Sequence, residues 1–294
     1  MSEPAEVSAA ASFGSRLAAV FEARGRLCVG IDPHRGLLDA WGLSDDAAGV
    51  REFGLRVVEA SSDTAGVVKP QVAFFERHGS AGFAALEEVL AAARAAGLLV
   101  IADVKRGDVG SSVDAYGEAW LTPGSPLEAD AMTAVAYQGV GSLDGVLAQA
   151  STHGKGVFVL AATSNPEAAG VQTALVGSGE SAGRTVAAAT VDELRARRTA
   201  SSLAAPLDDY GVVIGATVNL AQYGLAAEEL ARTPILAPGF GHQGATFAEL
   251  PALFGPALGA VVANASRSIL SAGPRDVAAA IARAVSEVEA ACRA

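Results

Sequence analysis

The sequence predicts an α/β fold, a single (β/α)8 TIM barrel with eight parallel strands. Three observations carry this reading. Eight short runs are nearly continuous in apolar residues, as strands buried on both faces are. Stretches rich in Ala, Leu and Glu, with helical spacing, alternate with those runs. No Gly/Ser linker or composition break divides the 294 residues. A prior of about 150 residues per domain suggests nearly two domains, but one barrel fills about 250. The expected unit is therefore 1–294, with residues 1–12 flexible.

The runs follow in order. The first is Leu27–Asp32 (LCVGID), the second Gly66–Val72 (GVVKPQV), and the helical stretch Gly82–Ala96 comes next. Leu98–Lys105 (LLVIADVK), Ala129–Ala136 (ADAMTAVA) and Gly156–Thr163 (GVFVLAAT) are the third to fifth. The helical stretch Val186–Ser201 leads to Gly211–Thr217 (GVVIGAT), and Ala226–Arg232 to Pro234–Phe240 (PILAPGF). Gly259–Ser266 (GAVVANAS) is the eighth run. The closing stretch Arg275–Cys292 sets Val277, Ile281, Val285 and Val288 at three- and four-residue steps, one face of a helix. Taking Asp32, Lys69, Asp103, Ala136, Thr163, Thr217, Phe240 and Ser266 as markers near the strand ends, the steps are 37, 34, 33, 27, 54, 23 and 26 residues. The long step follows the fifth strand, where Ser164–Thr185 carries four Gly. A tolerated insertion would explain it. A lid explains it better, because long loops on that face of a barrel commonly close over substrate.

Composition narrows the function. The charge sum of 21 basic against 32 acidic residues gives −11, which argues against nucleic-acid or anionic-membrane partners. Apolar runs break well short of the roughly 18 residues of a membrane span. The first 25 residues carry Glu3 and Glu6 and lack a signal-peptide core, so the expectation is a soluble cytoplasmic protein. Cys28 and Cys292 form no disulfide framework and no metal-type pair. His34, His78, His153 and His242 lack metal-ligand spacing, so no metal is expected. Neither GxGxxG after an early strand nor a GxSxG elbow is present.

Chemistry concentrates at the strand ends, where barrel active sites form. Only three lysines occur: Lys69, Lys105 and Lys155. Two of them lie in adjacent strands. Asp103 and Lys105 are two apart and point to the same side of a strand, and Lys69 can reach the same Asp103. Asp32 ends the first strand and Asp108 follows the third. A structural ion-pair network would account for one Asp-x-Lys. Two of three lysines around one carboxylate favour a desolvated active site. The turns Pro238-Gly-Phe-Gly-His-Gln-Gly244 and Asn264-Ala-Ser-Arg-Ser268 occupy the usual phosphate position of barrel enzymes. Gly lets backbone N–H groups approach an anion, Arg267 adds a forked donor and Gln243 a neutral one. An ordinary βα turn is the bland alternative. Thr163-Ser-Asn-Pro166 ends the fifth strand, either as a capped turn or as a contact for a polar heterocycle.

Asp103-Val-Lys-Arg-Gly-Asp108 resembles the Asp-x-Lys-x-x-Asp pattern of the orotidine 5′-phosphate decarboxylases. Cys28-Val-Gly-Ile-Asp-Pro-His34, Val68-Lys-Pro-Gln-Val-Ala-Phe-Phe-Glu76 and Val213-Ile-Gly-Ala-Thr217 resemble the longer bacterial (type 2) branch. With the Ala102–Gly110, Thr163–Pro166, Pro238–Gly244 and Ala265–Ser268 segments they come in family order over about residues 26–270. The resemblance implies loss of CO2 from orotidine 5′-phosphate to give UMP, the last step of de novo pyrimidine synthesis, with no metal or organic cofactor. It implies that Lys105 protonates C6, that Asp103 faces the departing carboxylate, and that Lys69 holds Asp103 and a ribose hydroxyl. Asp32 would bind the ribose, Ser164 the pyrimidine, and Gln243 and Arg267 the phosphate. Asp108 and Ser112 would cross into the partner's site, which implies a homodimer with shared active sites. The chain departs from the family pattern at His242, at Ser112 where Thr is expected, and at Val218-Asn219 where Pro is often near.

Three rivals remain at this level. A barrel relative acting on sugar phosphates would need Mg²⁺. A Schiff-base aldolase would use Lys69 or Lys105. A silent nucleotide-binding protein would bind UMP without turnover, although binding alone needs no such charge arrangement.

Overall fold

The computed structural model describes residues 11–241 and 244–293. Eight parallel strands close into a barrel in sequence order: β1 (Leu27–Ile31), β2 (Val67–Pro70), β3 (Leu99–Arg106), β4 (Ala131–Ala134), β5 (Gly156–Ala162), β6 (Tyr210–Ile214), β7 (Ile235–Pro238) and β8 (Val261–Ala265). Each lies inside its apolar run or overhangs it by a single residue, and most are shorter than the run by one to three residues at an end. β8 pairs back onto β1, with Cys28 opposite Asn264, so no edge strand is left. This is the expected (β/α)8 barrel.

Strand alternation sorts the side chains into two layers. Val29, Val68, Val100, Val157, Val212, Ile235 and Val261 point outward and join the layer beneath the helices; Ala47–Ser61, with Val50, Phe53 and Val57, covers β1 and β2, Gly79–Ala95, with Leu86, Val89 and Leu90, covers β3, and Val186–Ala196 covers β5 and β6. Cys28, Val67, Ile101, Phe158, Val213, Leu236 and Val262 fill the interior. The N-terminal helix Phe13–Arg24 adds Phe13, Leu17 and Phe21 to that interior cluster and so plugs the end where the strands begin. Phe13 meets Phe158 edge-on at 5.9 Å. Gly14 is required there, since a Cβ would stand 2.0 Å from the Leu207 carbonyl oxygen. Its N–H donates to Asp209 Oδ1 at 2.8 Å. Arg16 pairs with Asp130, and Lys155 with Glu128 at 2.7 Å, at this same end. The third lysine is thus structural.

The expected flexible segment 1–12 lies outside the described residues up to position 10; Ser12 caps the first helix, accepting from the Ser15 N–H at 3.3 Å. Two helical stretches differ from expectation. Val186–Ser201 divides into Val186–Ala196 and Ala200–Ala204, because Thr199 caps the second piece through the Ser202 N–H. Arg197 and Arg198 meanwhile reach separate carboxylates, Asp144 and Asp208. Ala226–Arg232 forms only a 3-10 turn, Ala227–Leu230, between a left-handed Gly224 and Pro234, too short to propagate an α-helix. No helix among the described residues is long and apolar enough to cross a membrane.

Candidate active site

A cavity of about 260 Å³ opens at the C-terminal ends of the strands. Asp32, Lys69, Asp103, Lys105, Thr163 and Arg267 line it, together with apolar Leu160, Val213 and Leu236. The polar wall stands over β1, β2, β3 and β8, and the apolar wall over β5, β6 and β7.

Asp103 is the hub of the polar wall. Lys69 Nζ donates to its Oδ2 at 2.8 Å and Lys105 Nζ to its Oδ1 at 2.6 Å. Asp32 Oδ1 lies 4.0 Å from Lys69 Nζ, which extends the alternation to Asp32–Lys69–Asp103–Lys105. Lys69 also donates to Gln71 Oε1 at 3.1 Å. Burial alone would lower the Lys69 pKa, but the Asp103 and Asp32 carboxylates outweigh it and hold the ammonium well above the usual lysine range. Burial alone would raise the Asp103 pKa, but Lys69 and Lys105 outweigh it and hold the carboxyl well below the usual range. Charge is therefore fixed on two buried groups, Lys69 and Asp103. Cys28, beneath, is pushed up to about 12 by burial and stays a thiol.

Lys105 departs from strand geometry. Its φ is 47°, the only positive value among the described non-glycine residues. An L residue there costs roughly 1–2 kcal/mol. The β3–β4 register shifts at this point, from Ala102 opposite Met132 to Arg106 opposite Ala134. Gly107 follows, where a Cβ would lie 2.1 Å from the Val135 carbonyl oxygen.

The loop after β5 is ordered as a 3-10 turn, Pro166–Ala168, and a single turn, Ala169–Gln172. Leu175 then bridges Thr185. Gln172 Oε1 accepts from the Thr163 N–H at 2.8 Å, and Arg184 pairs with Asp192 and Glu229. Both ends are anchored on the barrel, while Val171 and Leu175 are exposed.

The cavity thus gathers Asp32, Lys69, Asp103, Lys105 and Arg267. Ser164 is exposed just outside it, beside Gly215. Asp108 and Ser112 do not line the cavity of this chain: Asp108 Oδ1 accepts from the neighbouring Val109 N–H at 2.9 Å, and Ser112 is exposed in the first turn of Gly110–Leu121. Gln243 and His242 lie outside the described residues. Gln71, Thr133, Asn264 and Ser266 were not anticipated. The buried oxygens Asn264 Oδ1 and Ser266 Oγ have no hydrogen-bond partner among the described residues and belong to cavity-lining side chains. A signal for them existed. Gln71 is two residues after Lys69, Asn264 two after inward-facing Val262, and Thr133 two after inward-facing Ala131, so alternation puts all three on the inner face.

The sequence profile of the orotidine 5′-phosphate decarboxylase / HUMPS family matches residues 25–283. A protein of Nocardioides sp. named orotidine 5′-phosphate decarboxylase is 52% identical over 266 residues, covering 90% of this chain and 94% of that one. A protein of the same name from Salinispora tropica is 50% identical, covering 96% and 98%. The crystal structure of a Streptomyces avermitilis protein described under the same activity superposes with a TM-score of 0.89 at 47% identity, covering 96% of each chain.

Proposed function

The chain belongs to the orotidine 5′-phosphate decarboxylase / HUMPS family, and from that premise we propose that it removes CO2 from orotidine 5′-phosphate to give UMP, a step of pyrimidine biosynthesis, without metal or organic cofactor. The observation that carries this reading is the Lys69–Asp103–Lys105 chain of alternating charge on the cavity wall. Breaking the bond from C6 to the carboxylate releases CO2 and leaves the electron pair on C6. A fixed ammonium beside that carbon stabilises the developing charge. Lys105 then gives its proton to C6 and regains one from solvent, so atoms and charge balance with no redox partner. Asp103 faces the departing carboxylate and, with Lys69, keeps Lys105 in place. Asp32 and Lys69 hold the ribose hydroxyls, and Ser164 reads the pyrimidine. Arg267 and Gln243 grip the phosphate, whose binding energy closes the 164–185 loop as a lid.

The functional unit of this proposal is a homodimer in which Asp108 and Ser112 complete the partner's site. Their position off this chain's own cavity supports it. So do two apolar side chains exposed after β3 and β4, Val109 at 54% and Tyr137 at 85%, which a second copy would cover.

The test is purified protein mixed with orotidine 5′-phosphate in EDTA, followed by loss of the substrate's ultraviolet absorbance. Fast loss with UMP formed is expected. No loss while UMP still binds would overturn the reading, and turnover only after Mg²⁺ is restored would overturn its metal-free part.

A further inference from the structure

We propose that Thr133, on β4, is a positioning residue for the reaction, its hydroxyl holding Lys105 in the left-handed backbone conformation that sets the place of its ammonium. The inference rests on the reading of Lys105 as proton donor.

In a regular parallel ladder the N–H of Lys105 would pair with a neighbouring strand. The shift of register between Ala102 and Arg106 takes it out of the ladder. It donates instead to Thr133 Oγ1 at 2.9 Å. The same hydroxyl spends its single proton on Asp103 Oδ1, also at 2.9 Å. Asp103 Oδ1 is the oxygen that grips Lys105 Nζ at 2.6 Å. A closed circuit results: the hydroxyl holds the main chain of Lys105 and the carboxylate that holds its side-chain tip. The lysine is therefore fixed at both ends, and its strained φ of 47° has an identifiable cause.

Only a hydroxyl fits this role, because one atom must accept from an N–H and donate to a carboxylate. Thr133 is 1% exposed and forms no part of the cavity wall, so it acts through Lys105 and Asp103 and does not touch substrate. Valine has nearly its shape and neither function. Serine has both functions.

The experiment compares wild type, Thr133→Val and Thr133→Ser. Thr133→Val is expected to lower kcat by about 10- to 100-fold, the range that misplacement of a reacting group by about an ångström produces. KM should move less than about threefold, since the substrate-binding groups are untouched. Thr133→Ser should restore kcat to within about threefold of wild type. A purely structural hydroxyl would lower Tm of the valine variant and leave kcat per folded molecule unchanged; that result, or a serine variant as slow as the valine one, overturns the proposal. Thr133→Ala serves the same comparison should the valine variant fail to fold. A crystal structure of the valine variant decides independently of turnover. Lys105 should leave the left-handed region and its Nζ should move beyond about 3.5 Å from Asp103, outside hydrogen-bond reach. An unmoved lysine overturns the proposal. A displaced lysine in a protein whose wild type never decarboxylates orotidine 5′-phosphate would strike the decarboxylase reading and leave Thr133 as the holder of Lys105.

Discussion

Asp103 carries two lysines, and the two are not equivalent. The Lys105 side chain is 44% exposed, and without it Asp103 keeps Lys69 and Thr133. Lys105→Ala should therefore abolish turnover while Tm and UMP affinity stay near wild type; a variant with near-normal turnover would remove Lys105 from its role. The Lys69 side chain is 4% exposed, so Asp103→Ala strands a buried cation and should cost about 3–5 kcal/mol in a urea melt. The pH dependence follows from the directions of the two shifts. Asp103 is depressed, so its stabilising contribution is fully present above the ordinary carboxylate pKa of about 3.9 and is lost as pH falls through its folded value. Lys69 is raised, so its contribution is fully present below about 10.4 and is lost as pH rises through its folded value. Between those limits neither group titrates in the wild type, so the contribution of this pair to wild-type stability should stay flat from about pH 5 to 9 in urea melts. These charged residues were legible in the sequence because lysine is scarce and two of the three stand in apolar runs. Thr133 was not singled out, because a single hydroxyl in an apolar strand has no such contrast, and the φ at Lys105 depends on the β3–β4 register, a tertiary property.

Strands buried on both faces read as continuous apolar runs, which is why all eight could be placed from the sequence. The division of Val186–Ser201 was not legible. Its Arg-rich turn has good helix propensity, and the break at the Thr199 cap is accompanied by Arg197 and Arg198 reaching separate carboxylates, Asp144 and Asp208, pairings that only the folded chain reveals. The length anomaly after β5 was legible from spacing alone, whereas its anchors, Gln172 on Thr163 and Arg184 on Asp192 and Glu229, were not. If this loop is the proposed lid, replacing residues 174–183 with a short Gly-Ser link should lower kcat/KM by roughly tenfold or more with little change in Tm. Unchanged kcat/KM would make the loop a passive insertion.

The whole molecule separates its tasks along the barrel axis. Charge and cavity lie at one end, and the N-terminal helix closes the other with Phe13, Leu17 and Phe21. Phe158, Ile101, Leu236 and Val262 stand between as an apolar filling. Phe13→Ala should cost about 3–5 kcal/mol by the cavity it leaves, with kcat unchanged at temperatures where the protein is folded. A parallel fall in kcat would show that the plug and the site are coupled. The closed barrel was legible from eight repeats and an unbroken composition; the plug was not, since its helix reads in sequence like any other. The lysines have a last consequence for handling the protein. Lys69 and Lys155 are sealed, with side chains 4% and 7% exposed, and Lys105 alone presents its amine to solvent. Amine-directed dyes, crosslinkers and coupling resins thus find, apart from the α-amino group, one target on this molecule. A labelled or immobilised preparation would be modified at the very atom proposed to move the proton, unless the cavity is filled first.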